Sequence, residues 1–249
     1  MPRQQHRTQG LTVAVILSAG QGTRMGAPRN KVFLTLGGKP ILVHTIEAFQ
    51  RSHLVDEIVV VAHPAEVGYC HAEIVERYQL ERVSAVIPGG STRHGSEDSA
   101  LAYLRPRIES GEVEIILIHD GARPYVPPDE IDKLVQTAGA DGGAILAAAL
   151  AEDEVVLLTA YDGSIVTAYP SPELARAQTP QAFAAHTLLA AYDRARADGF
   201  NGTDTASSVE RAGGKVSIVW SAAPNIKVTM PDDLLRAEAL LASQESQQK

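Results

Sequence analysis

Cysteine is nearly absent from this chain of 249 residues: Cys70 stands alone. A single cysteine excludes an intrachain disulfide and a zinc site built on several thiolates. Its neighbours Tyr69 and His71 supply no cluster of positive charge, so Cys70 reads as a packing residue and not as a nucleophile. Aromatic residues are scarce, at 5%, so the core must be built mainly on aliphatic side chains. No apolar run approaches the roughly 20 residues that a membrane span requires. The segment from Met1 to Gly10 is polar and lacks the apolar stretch of a signal peptide. A cytoplasmic location with no membrane partner is therefore expected. Positive charge is also in deficit, with 22 Lys and Arg against 30 Asp and Glu, a net charge of −8. That balance disfavours broad nucleic-acid binding. An anionic substrate would need its cations gathered at one place.

What the chain does contain is organised around the stretch from Ala14 to Gly26, followed closely by Lys31. The apolar run Val13 to Leu17 reads as a strand buried on both faces. It breaks into Ser18-Ala19-Gly20-Gln21-Gly22-Thr23-Arg24. Gly20 and Gly22 lack a Cβ, which permits positive φ and close approach of a bound group. Backbone amides of such a loop can point at phosphate oxygens, and Arg24 and Lys31 add two charges. A polyphosphate cradle and a simple tight turn both fit this stretch taken alone.

Strand-like and helix-like segments alternate through most of the chain. Glu57 to Ala62, Val83 to Ile87, Glu114 to Ile118 and Gly143 to Ala148 read as strands. Pro40 to Gln50, Glu66 to Tyr78, His94 to Leu104 and a segment starting at Pro128-Asp129-Glu130 read as helices. This rhythm predicts an α/β fold, a Rossmann-like, mostly parallel sheet with helices on both faces. Function then belongs at the carboxyl ends of the strands. Those ends hold Gly89-Gly90-Ser91-Thr92-Arg93 with Ser96, and His119-Asp120-Gly121-Ala122-Arg123. A late strand-like segment, Pro224 to Thr229, holds Lys227. Arg24, Lys31, Arg93, Arg123 and Lys227 are expected to face one crevice, with Asp120 as a ligand for a hard cation such as Mg²⁺. Any one of these arginines alone is ordinarily a surface ion-pair partner, and Asp120 alone a cap or turn residue. Their common position in the fold carries the case. A dinucleotide site is set aside, because it needs an acid about 20 residues beyond the glycines. Here the second strand ends later, in Val61-Ala62-His63-Pro64.

These blocks resemble a known family. Ser18 to Gly26 with Lys31 is similar to the signature loop of sugar-nucleotide pyrophosphorylase-type nucleotidyltransferases. With Gly89-Gly90, Arg93 and Ser96, then His119 to Pro124, Gln178-Thr179-Pro180-Gln181-Ala182-Phe183, Thr203-Asp204-Thr205-Ala206-Ser207 and Asn225 to Thr229, the order resembles the 2-C-methyl-D-erythritol 4-phosphate and ribitol-5-phosphate cytidylyltransferases over about residues 12 to 243. The resemblance implies CTP as co-substrate, Mg²⁺ or another divalent cation, a small phosphorylated acceptor and a homodimer. 2-C-methyl-D-erythritol 4-phosphate is the leading acceptor and ribitol 5-phosphate the next. The resemblance implies catalytic roles for Arg24, Lys31 and Lys227. Nucleotide contacts would come from Ala19, Gly20, Gly22, Gly89, Gly90, Arg93, Ser96 and Asp120, with Asp120 also holding the metal.

The departures fall in the acceptor half. The family's Pro-Val-x-Asp-Thr-Ile/Met-Lys block corresponds here to Ala149 to Val156, with Glu152, Asp153 and Glu154 in place of a phosphate-friendly surface. An arginine that the family carries before its Thr-Pro-Gln block is missing near Ser171. Asn30 stands where proline usually precedes the lysine. Arg123 or Arg176 substitutes, or the acids turn outward, or the acceptor differs: a paralogue acting on another phosphate or phosphonate is one alternative, a non-catalytic nucleotide-binding regulator another. The chain 1–249 reads as one nucleotidyltransferase domain with an arm at about 149–178. Within that arm Val155-Val156-Leu157-Leu158 and Ser164-Ile165-Val166 flank an Asp162-Gly163 turn.

Overall fold

The computed structural model describes residues 10–20, 30–150, 155–159, 165–170 and 174–247. Arg24, Gly22, the acids 152–154, Ser171 and the Asp162-Gly163 turn lie outside the described residues.

In chain order the elements are β1 (Leu11–Ser18), a 3₁₀ turn (Lys31–Phe33), β2 (Thr35–Leu36), β3 (Lys39–Pro40), α1 (Ile41–Gln50) and β4 (Glu57–Ala62). A short helical stretch follows, with α2 (Val67–Tyr69) running on into a π-helical Cys70–Glu76. Then come β5 (Val83–Pro88), α3 (Arg93–Glu109), β6 (Val113–Asp120), α4 (Pro128–Asp141), β7 (Gly143–Ala149), β8 (Val155–Thr159), β9 (Ile165–Pro170) and β10 (Ala175–Ala184). The chain closes with α5 (Ala185–Ala197), α6 (Thr205–Arg211), β11 (Ser217–Trp220) and α7 (Pro231–Gln247). α4 begins as the sequence predicts, on Pro128 with Asp129 and Glu130 in its first turn, and it ends at Gly142 with φ +90°.

Seven strands form the main sheet in the order β11-β7-β10-β6-β1-β4-β5. β6, β1, β4 and β5 are mutually parallel, as are β11 and β7. Only β10 is antiparallel to its neighbours β6 and β7. The period-two geometry of the strands divides the core into two layers. Ala14, Ile16, Ile58, Val60, Ile115 and Leu117 face α1 and α4. Val13, Val15, Val59, Val61, Ile116 and Ile118 face α3, α5 and α6. Helices therefore cover both faces, as the unbroken apolar strands require.

Several expectations need correction. Pro224 to Thr229 is not a strand but an irregular segment after β11. It meets the sheet region through the Val228 amide, which donates to the Ala122 carbonyl at 2.9 Å. The helix expected over 66–78 is divided into 3₁₀, α and π segments. Strands β10 and β11 were not expected. β10 takes the far end of the anticipated arm into the main sheet, where Ala175, Arg176 and Ala177 pair with Ala149, Ala148 and Ala147. The expected hairpin strands are present as β8 and β9, a separate antiparallel two-stranded sheet.

Candidate active site

The carboxyl ends of β1, β4, β5 and β6 open into one cavity of about 660 Å³. Its wall includes Ala19, Gly20, Lys31, Gly89, Gly90, Arg93, Ser96, Asp120 and Lys227. Of the described residues proposed from sequence, all but Arg123 line this one space. Parallel strands present their carboxyl ends at the same edge of the sheet, which is why residues 100 or more apart in sequence meet there.

The shape depends on two of the glycines that the sequence pointed to, Gly89 and Gly90. Gly20 does not adopt positive φ, and a Cβ there would meet none of the described residues within 4 Å. At Gly89 a Cβ would lie 2.6 Å from the Ala19 Cβ and 2.8 Å from Ser96 Oγ. At Gly90 it would lie 2.7 Å from the Gly95 carbonyl carbon. These two positions let the β5–α3 turn close against the end of β1. Thr92 caps α3 by accepting from the Gly95 amide at 2.9 Å, and Ser96 Oγ donates to the Thr92 carbonyl at 2.9 Å. The N-terminal end of this helix faces the cavity, a favourable place for an anion.

Lys31 is set by Asn30, whose role sequence reasoning missed. Asn30 is buried, and its Nδ2 donates to the Ser18 carbonyl at 2.6 Å and to Glu66 Oε2 at 3.2 Å. Its Oδ1 caps the 3₁₀ turn that carries Lys31. The residue that departs from the family pattern thus ties the lysine's turn to the end of β1.

Asp120 is the electrostatic centre. Lys227 Nζ stands 2.7 Å from its Oδ2, Arg93 Nε 3.4 Å from Oδ1 and Arg123 Nε 3.6 Å from Oδ2. Burial pushes the carboxyl upward, but Lys227, Arg93 and Arg123 outweigh it and hold Asp120 well below the usual carboxylate range. The Asp120 amide donates to Thr179 Oγ1 at 3.1 Å. Asn225 Nδ2 donates to the Thr179 carbonyl at 2.7 Å and to Gln178 Oε1 at 3.1 Å. The Thr-Pro-Gln block is therefore a joint between the end of β6 and the segment that carries Lys227. Gln181 extends it by donating to Asp204 Oδ2 at 2.9 Å and accepting from the Ala206 amide at 3.0 Å.

Arg123 does not share the crevice as expected. Its Nη1 donates to the Asn225 carbonyl at 2.7 Å, and the residue lines a second cavity of about 880 Å³ with Arg176, Lys227 and Arg236. Lys227 belongs to both walls. Asp233, also in the second wall, accepts from Thr229 Oγ1 at 2.6 Å and from the Thr229 and Met230 amides. Arg236 gave no sequence signal, because nothing local shows that α7 packs against the turn after β6, where the Tyr125 hydroxyl donates to the Ala237 carbonyl at 2.8 Å.

His119 directly precedes Asp120 but turns into the core, where its ring packs 4.8 Å from that of Phe49. Its Nε2 donates to the Arg123 carbonyl at 3.1 Å and its buried Nδ1 has no partner among the described residues. Burial pushes its pKa down to about 3.

The family model of 2-C-methyl-D-erythritol 4-phosphate cytidylyltransferase matches residues 12–243. A 2-C-methyl-D-erythritol 4-phosphate cytidylyltransferase of Geotalea uraniireducens is 42% identical over 235 residues, covering 94% of this chain and 98% of that protein. The enzyme of the same name from Geobacter metallireducens is 43% identical over 229 residues, with 92% and 96% covered. Among solved structures, 4-diphosphocytidyl-2C-methyl-D-erythritol synthase of Anaerococcus prevotii superposes with a TM-score of 0.80 at 27% identity, covering 94% of this chain and 96% of that one. The Thermus thermophilus enzyme gives 0.70 at 26% identity, with 93% and 100% covered. The chain belongs to the 2-C-methyl-D-erythritol 4-phosphate cytidylyltransferase family.

Proposed function

We propose that this chain moves the cytidylyl group of CTP to 2-C-methyl-D-erythritol 4-phosphate and releases pyrophosphate. The observation that carries this reading is the convergence of Lys31, Arg93 and Lys227 on one cavity around Asp120 at the carboxyl edge of the sheet. CTP occupies that cavity, with its base and ribose against Ala19, Gly89, Gly90 and Ser96 and its triphosphate among the cations. Lys31, joined by Arg24, neutralises the departing pyrophosphate. Lys227 bounds both cavities and so lies where the α-phosphate would meet the acceptor.

The acceptor occupies the second cavity, its phosphate held among Arg123, Arg176 and Arg236. An oxygen of that phosphate attacks the α-phosphorus in line. The new P–O bond forms as the bond from the α-phosphorus to the bridging oxygen breaks, and that electron pair leaves with pyrophosphate. No covalent enzyme intermediate is needed, so positioning and charge neutralisation supply the acceleration.

Asp120 fits a divalent cation held by one carboxylate and by substrate phosphates. Its depressed pKa keeps it ionised, and no cluster of three or more acidic, histidine or cysteine ligands occurs among the described residues. Such an ion would neutralise triphosphate charge. Lys227 would then exchange Asp120 for the α-phosphate. No helix among the described residues is long and apolar enough to cross a membrane, and we place the enzyme in the cytoplasm with its nucleotide. The reading is tested by pyrophosphate release with CTP and Mg²⁺. A kcat/KM above about 10⁴ M⁻¹s⁻¹ is expected for 2-C-methyl-D-erythritol 4-phosphate. Equal or greater efficiency with ribitol 5-phosphate would reassign the acceptor.

A further inference from the structure

Behind the cavity wall lies a carboxylate that does not itself line it. Glu97, one turn along α3 from Arg93, is 1% exposed. Its Oε1 accepts from Arg93 Nη1 at 2.6 Å and from Thr205 Oγ1 at 2.5 Å, and its Oε2 accepts from the Tyr192 hydroxyl at 2.5 Å. The Tyr192 ring is in turn stacked on His94 at 4.7 Å. Three elements, α3, α5 and α6, thus converge on this one acid. A buried carboxylate is tolerated only when paired and hydrogen-bonded, and Glu97 has all of its partners. Along α3 it heads the stripe of Ala100, Leu101, Leu104 and Ile108, where packing alone would select an apolar residue.

The geometry around Arg93 shows what the acid does. The guanidinium bridges two carboxylates, tightly to Glu97 at 2.6 Å and loosely to Asp120 at 3.4 Å. We propose that Glu97 is a positioning residue for nucleotide binding: it holds Arg93 by Nη1 and so keeps the guanidinium at the cavity wall instead of collapsed onto Asp120. Without the charge at position 97, Asp120 becomes the nearest counter-charge and draws Arg93 in. One cation is then lost to the triphosphate, and part of the Asp120 carboxylate is lost to a cation. The same contact explains Thr205: within the Thr203–Ser207 block it serves to anchor Glu97 and does not line the cavity.

This inference rests on CTP occupying the first cavity. The test is a thermodynamic cycle on the full chain, with CTP affinity measured by calorimetry in Mg²⁺ and melting temperature measured alongside. Glu97→Gln keeps the shape and removes the charge, and is expected to weaken CTP about tenfold, the scale of one charge-assisted hydrogen bond. Arg93→Ala is expected to weaken CTP at least as much. The double variant should bind within about twofold of Arg93→Ala alone, because Glu97 acts only through that arginine. Melting should show opposite signs. Glu97→Gln lowers it in the natural chain and raises it beside Arg93→Ala, where a buried charge has lost its partner. CTP affinity unchanged in Glu97→Gln, or a double variant that loses the full product of the two factors, overturns the proposal. A purely structural Glu97 would move melting without this non-additivity in binding. Should Glu97→Gln not fold, Glu97→Asp withdraws the charge by one methylene and must show the same dependence on Arg93. Failure of the natural chain to bind CTP would instead overturn the assignment of the cavity, and this inference with it.

Discussion

At the scale of single residues, the site separates cations that touch substrate from groups that hold the fold. Lys227 is the clearest of the first kind, since its side chain is 38% exposed and the residue borders both cavities. Lys227→Ala is expected to lower kcat by about 10²–10³-fold, as for the loss of one donor aimed at developing charge. Stability should change by no more than about 1 kcal/mol, because Arg93 and Arg123 remain beside Asp120. Turnover and urea denaturation measured on the same sample separate the two effects; a large stability loss with turnover intact would make Lys227 structural. His119 is of the second kind. Its folded pKa, about 3, lies below the ordinary 6.5, so the unfolded chain binds the extra proton. This contribution to stability is complete above pH 6.5 and is lost as pH falls toward 3. Between pH 7 and pH 5 it amounts to about 2 kcal/mol. Urea denaturation at those two values should show a drop in the natural chain and a smaller one in His119→Gln. An equal drop in both would place the acid sensitivity elsewhere.

At the scale of elements, the β5–α3 turn is the part of the cradle with least tolerance. Gly89 sits where Ala19, Val61 and Ser96 leave no room for a methyl group. Gly89→Ala must move the end of β1 or the first turn of α3, an overpacking cost of about 1–3 kcal/mol. Because both elements line the cavity, KM for CTP is expected to rise with the fall in melting temperature. Gly20→Ala meets none of the described residues within 4 Å and should cost far less stability. Comparable stability losses at the two positions would refute this account of the cradle. β10 is the other decisive element, since its Thr179 and Gln181 connect Asp120, Asn225 and the start of α6.

At the scale of the molecule, β8 and β9 pair with each other and not with the seven-stranded sheet. An isolated two-stranded hairpin is at best marginally stable in water. We therefore expect this arm to rest on a second copy of the chain, giving a dimer. Sedimentation at micromolar concentration should return twice the chain mass, and deletion of 155–170 should return the monomer. A monomer from the intact chain would contradict the expectation.

The alternation of buried strands and helices was legible because it is written locally. Runs such as Ile58 to Val61 carry their own period, and Pro128 with two acids marks a helix start wherever it occurs. Once the sheet is parallel, the chemistry belongs at one edge, and Lys31, Arg93, Asp120 and Lys227 are found there. The sequence of β10, with Gln178, Thr179 and Pro180 near its centre, lacks the apolar run or alternation that marks a strand. It becomes a strand because β6 and β7, more than 25 residues upstream, supply hydrogen-bond partners on both sides. Pro224 to Thr229 has the β-branched residues of a strand but no neighbouring strand to pair with, and it remains irregular. Arg123 follows Asp120 by three positions, yet the turn after β6 aims it at the second cavity. Glu97 carries no local signal of its role, which comes from Arg93, Tyr192 and Thr205 closing around it. Local periodicity determined the elements and the edge of the sheet that carries function. Which side chains share a cavity, and which hold them from behind, was decided by contacts between segments about a hundred residues apart, which no local pattern records.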